Sequence, residues 1–94
     1  MTRQDLVNRI LGLMIDDIEL LKKKNSDYSP GDDALENFRD FGVNGVIVRI
    51  GDKYKRLKTF AKRGAYEIKE EGVRDTLQDL SVYSYIARVL HEEE

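Results

Sequence analysis

Asp75-Thr76-Leu77-Gln78-Asp79-Leu80-Ser81-Val82-Tyr83-Ser84-Tyr85-Ile86-Ala87-Arg88-Val89-Leu90 decides the fold of this chain. Counting about 100° per residue, Asp75 and Asp79 line up with Val82, Ile86 and Val89, while Val73, Leu77, Leu80, Ser84 and Ala87 cover the opposite arc. Apolar residues at helical spacing on two sides predict a helix with two faces to bury, from about Lys69 or Glu70 to His91. Gly72 weakens its first turn. Leu77, Leu80, Tyr83, Ser84, Ala87 and Leu90 are expected to face the other helices. The acidic pair, one turn apart on one face, has two readings. It is a half-exposed pair flanking the core, with Asp75 favourable near a helix N-terminus. Or it is a set of carboxylates that needs a cationic partner, such as a divalent metal.

Upstream, a second long helix is predicted from about Val46 to Arg63, ending at Gly64. Val46, Ile50, Tyr54, Leu57 and Ala61 form its expected core face. On another face Arg49, Asp52, Lys53 and Arg56 occupy i, i+3, i+4 and i+7, with Phe60 completing the line. Such a strip is a solvated face of weak ion pairs, or a metal ligand (Asp52) flanked by cations that clamp phosphate oxygens. A turn at Arg63-Gly64-Ala65-Tyr66 joins the two helices.

The first helix is predicted from Thr2 or Arg3 to Lys24, with Leu6, Val7, Ile10, Met14, Ile18 and Leu21 on one apolar arc. Thr2 is the expected N-cap, and Asp5 stands in the capping-box place. Lys22, Lys23 and Lys24 suit the negative end of the helix dipole. Asp17 falls inside the apolar arc, either at its wet end or aimed at something cationic. Residues 25–33, Asn-Ser-Asp-Tyr-Ser-Pro-Gly-Asp-Asp, read as a loop. A short helix follows, with Asp33 as N-cap, Glu36 as capping-box partner and Gly42 as terminator. The loop with Lys24, Asp27 and Tyr28, beside a polar helix with Asn37 and Arg39, is either a ligand cover or a plain connector. With no competing strand pattern the expectation is all-α, three main helices plus a short one.

Ninety-four residues support one helical domain, 1–94, with a modest core. Charged residues make up 36% and hydrophobic ones 40%, so a bundle completed by oligomerisation, as a homodimer or homotetramer, is expected. The absence of cysteine excludes disulfides and thiolate metal sites, and the single His91 argues against zinc. Any metal must be a hard cation on Asp and Glu, Mg2+ or Mn2+. A net charge of −2 argues against duplex nucleic acid as a partner. No apolar run approaches membrane-spanning length, so a cytoplasmic protein with no membrane partner is expected.

Three motifs share an order and a spacing. They are Lys24-Asn25-Ser26-Asp27-Tyr28 followed by Asn37-Phe38; Arg49-Ile50-Gly51-Asp52-Lys53-Tyr54-Lys55-Arg56-Leu57; and Asp75-Thr76-Leu77-Gln78-Asp79-Leu80-Ser81-Val82-Tyr83. Together they resemble the nucleotide modification associated domain of the first type, a small helical family of phages and bacteria. The likeness covers about residues 20 to 90. That family in turn resembles the all-α nucleoside triphosphate pyrophosphohydrolases, the group of MazG and the dimeric dUTPases.

The resemblance implies a MazG-like fold and Mg2+-dependent hydrolysis of a (deoxy)nucleoside triphosphate to monophosphate and pyrophosphate. It implies Asp52, Asp75 and Asp79 as catalytic metal ligands. It also implies that Arg49, Lys53 and Arg56 neutralise phosphate charge, with Lys24 and Asp27 in the substrate loop. Tyr28, Phe38 or Tyr83 would stack on the base, and Asn37 would read a base edge. One position departs from the pattern. Arg49 stands where the enzymes carry an acid, which removes a metal ligand and adds a phosphate clamp. The alternative implied is a non-catalytic nucleotide-binding or sequestering module tied to phage nucleotide or DNA-base modification. A purely structural oligomer is a third reading.

Overall fold

The computed structural model describes residues 1–28, 31–63 and 70–94, without the side chains of residues 26–28, 70 and 71. Its elements are all helical: α1 Arg3–Tyr28, α2 Glu36–Arg39, α3 Gly42–Arg63 and α4 Glu70–Glu93. No strand occurs among the described residues. No helix among them is long and apolar enough to cross a membrane. The chain divides into two compact units, Met1–Asn37 and Phe38–Glu94.

In the first unit, α1 opens on the predicted capping box. The Thr2 amide donates to Asp5 Oδ2 at 2.9 Å, and the Asp5 amide donates to Thr2 Oγ1 at 3.1 Å. Two amides that lack partners within the helix are thereby satisfied. The far end departs from expectation, because residues 25–28, read as loop, continue the helix. Asn25 shows why. Its side-chain amide donates to the Ala34 carbonyl at 2.6 Å, so it does not compete for its own backbone as loop asparagines do. Asp33 then caps the segment before α2: its Oδ1 accepts the Leu35 amide at 3.1 Å and its carbonyl the Glu36 amide at 3.2 Å.

The second unit begins with a correction of boundaries. The short helix shrinks to four residues, and α3 starts at Gly42 rather than Val46. Gly42 has a φ of 61°, the left-handed conformation that ends a helix. It therefore terminates one helix, as predicted, and opens the next. One turn later the Gly45 amide bonds to the Phe41 carbonyl at 3.2 Å, and a Cβ at Gly45 would collide with Phe41 Cβ.

The helices α3 and α4 form an antiparallel pair, and Arg39 at the end of α2 extends the same register. Arg39 reaches Glu93, Arg49 lies over Tyr83, Lys53 pairs with Asp79, and Phe60 lies against Gly72. Moving forward through 39, 49, 53 and 60 moves back equally through 93, 83, 79 and 72. On α3 the covered line is Val46, Ile50, Lys53, Leu57 and Phe60; on α4 it is Thr76, Asp79, Tyr83, Ile86 and Leu90. Both alternate steps of four and three, the 3.5-residue period of a two-helix seam. Among the described residues the buried apolar side chains are Val46, Ile86 and Leu90, with Val46 the most enclosed.

That period corrects the expected core faces. Steps of four alone carry Val46 and Ile50 on to Tyr54, which is 58% exposed, whereas the seam steps back to Lys53. Leu77, expected inward, is exposed, and Ile86 from the opposite arc is buried. Thr76 is 3% exposed, with its hydroxyl donating to the Gly72 carbonyl at 2.7 Å. This bond removes the cost of burying its oxygen.

Candidate functional site: a cation row on the α3–α4 seam

The chemistry-bearing residues of the second unit gather around one contact. Lys53 Nζ lies 2.9 Å from Asp79 Oδ2, and the two side chains are 20% and 23% exposed. Both sit where a coiled-coil seam normally places an apolar group. Pulling two charges from water is unfavourable unless each has a close partner, and this contact gives each of them one.

One turn before Lys53, the Arg49 guanidinium stands over the Tyr83 ring, 5.9 Å from its centroid. Tyr83 in turn lies one turn beyond Asp79. The aromatic face attracts the guanidinium by its electron density without using up its N–H donors. Arg56 is exposed at i+3 from Lys53, so Arg49, Lys53 and Arg56 run along one side of α3. Arg49 and Arg56 are thus exposed on either side of Lys53, whose charge Asp79 balances, and their guanidinium groups are the ones a chain of phosphates can reach.

The carboxylates gather less. Asp52 and Asp75 are exposed, while Asp79 is turned toward Lys53. Among the described residues no group of three acidic or imidazole side chains is close enough to hold a metal ion. Asp52, Asp75 and Asp79 therefore do not form such a three-carboxylate group. An ion at Asp79 would share the carboxylate with the Lys53 ammonium, which holds its Oδ2.

The remaining predicted residues lie along the chain as follows. Phe38 is half-buried in the second unit. Lys24 and Asn37 are exposed in the first unit, and Asp17 is half-buried there. The Asp27 and Tyr28 side chains lie outside the described residues, as does the predicted turn at Gly64-Ala65-Tyr66. Two features escaped the sequence reading: Lys53 as a seam residue and Thr76 as a buried one. The alternation of four and three from Val46 to Phe60 was the available signal for Lys53. No family model, curated protein or solved structure matches the chain.

Proposed function

We propose that the chain is a nucleotide-binding helical module of nucleotide metabolism, MazG-like in architecture, that works as a homodimer or homotetramer in the cytoplasm. Its ligand is a (deoxy)nucleoside polyphosphate. The phosphates lie along Arg49, Lys53 and Arg56, and the base meets an aromatic side chain. The observation that carries this reading is the Lys53–Asp79 contact beside the Arg49–Tyr83 stack. It orders the cations before any ligand arrives, which lowers the entropy cost of binding.

The same contact favours binding over turnover. Hydrolysis to monophosphate and pyrophosphate needs carboxylates available to a metal, and Asp79 already faces an ammonium group. The pyrophosphohydrolase reading shares this site and differs in one observable, release of product. Incubation with each common ribo- and deoxyribonucleoside triphosphate, with and without Mg2+, separates the possibilities. Saturable binding without pyrophosphate supports the binding module. Pyrophosphate release that Asp79→Asn abolishes identifies the enzyme instead. Neither binding nor release with any triphosphate refutes both.

A further inference from the structure

The α1 helix carries apolar surface that the nucleotide reading does not use. Val7, Leu11 and Ile18 are 43%, 50% and 50% exposed, and Met14 and Leu21 are half-buried. These five are spaced by four, three, four and three residues. That is the repeat of a helix whose seam faces another helix along its length.

We propose that α1 pairs in parallel with α1 of a second copy of this chain, and that Asp17 and Lys22 set the orientation. The flanks of the seam carry the argument. Taking Leu11 and Ile18 as a positions and Val7, Met14 and Leu21 as d positions, Ile10, Asp17 and Lys24 fall at g, and Ile15 and Lys22 at e. A parallel pair brings each g residue to the e residue five places on in the other copy. Asp17 then meets Lys22 of the second copy, and Ile10 meets Ile15 of the second copy, twice over by symmetry.

An antiparallel pair brings g residues against g residues. In the two registers that keep four of the five seam residues paired, Asp17 meets either Ile10 or another Asp17; the registers that bring it to Arg3 or Lys24 pair only two of them. Where it meets Ile10, Arg3 also faces Lys24. At full overlap, opposite charges therefore meet in the parallel orientation, while the antiparallel one leaves like charges or a charge against isoleucine. Lys22 is available for the contact, since its present bond to Glu19 is a 3.4 Å pair between side chains 69% and 67% exposed. Such exposed pairs exchange at little cost. The pairing also gives Asp17 a cationic neighbour inside an otherwise apolar arc. It stands independently of nucleotide binding.

Sedimentation equilibrium of the full chain tests it. The wild type is expected to dimerise, and Asp17→Lys or Lys22→Asp alone to raise the dimer Kd about tenfold by setting like charges together. The double exchange Asp17→Lys/Lys22→Asp is expected to recover affinity to within about threefold of wild type. Because the chain has no cysteine, Ile18→Cys under mild oxidation reports the direction. A parallel pair places the two copies of position 18 within disulfide reach. A wild type that stays monomeric at about 100 μM overturns the proposal. So does a dimer that charge reversal leaves unchanged and that Ile18→Cys does not cross-link.

Discussion

Lys53 and Asp79 meet at 2.9 Å in the seam between α3 and α4, in places that neighbouring positions fill with Ile50, Leu57 and Ile86. A charge pair so placed contributes little net stability while fixing which residues face each other. The register also opposes each heptad slip. Shifted one way, Lys53 would face Ile86 and Asp79 would face Phe60. Shifted the other way, they would face Gly72 and Val46.

Removing one partner should therefore cost more than removing both. Lys53→Met leaves Asp79 partly buried without its cation and is expected to destabilise by about 1–3 kcal/mol, below the fully buried case because a fifth of each side chain stays wet. Lys53→Met/Asp79→Leu should return to within about 1 kcal/mol of wild type. Urea unfolding followed by circular dichroism measures both. A double variant less stable than the single one would show that the pair itself holds the hairpin together.

The capping box makes a prediction about pH. The Thr2 amide and then the Thr2 hydroxyl hold the Asp5 carboxyl below its ordinary value of 3.8. A depressed folded value means that the charged form supports the fold. The contribution is present above the unfolded pKa and fades as pH falls from about 4 through the lower folded value. A carboxyl-detected NMR titration should find Asp5 below 3.8 in the wild type. In Thr2→Ala it should rise toward that value, since one of the two stabilising contacts is gone.

Glycines separate by backbone conformation. Gly42 has φ at 61°, where a side chain costs about 1–2 kcal/mol, so Gly42→Ala should destabilise by that amount. Gly51 lies inside α3 with open space where a Cβ would stand. Gly51→Ala should stabilise by about 0.5–1 kcal/mol through helix propensity. Thermal melts of the two variants are expected to move in opposite directions.

Much of this architecture is legible in the sequence because local chemistry decides it. Helical periodicity places α1, α3 and α4, Thr2 and Asp5 mark the first cap, and Gly42 marks a helix end. What is not legible depends on distant partners. Asn25 becomes helical through a bond to Ala34, nine residues away. Lys53 joins the seam because Asp79 awaits it on another helix. A free helix of 3.6 residues per turn gives no reason to choose Lys53 over Tyr54; a paired one at 3.5 does. The candidate site was half legible for the same reason. The row Arg49, Lys53 and Arg56 follows from spacing on one helix, whereas the arrangement of Asp52, Asp75 and Asp79 depends on two.

The cation row should bind phosphate by charge and geometry together. Arg49→Lys keeps the charge but loses the planar fork and most of the stacking on Tyr83, so nucleotide affinity should fall about tenfold. Isothermal titration with the best-binding triphosphate measures the loss. Equal affinity in this variant would reduce Arg49 to a diffuse charge.

A thermal-shift comparison of the wild type and Arg49→Ala/Arg56→Ala, across the common nucleoside triphosphates, bears on the whole proposal. For the wild type, some triphosphate at ten times its Kd should add about 1.4 kcal/mol and raise Tm by several degrees. The double variant should melt near the wild-type temperature without ligand and show no rise with it. A wild type whose Tm no triphosphate moves, or an equal rise in both proteins, would contradict nucleotide binding on the α3–α4 seam.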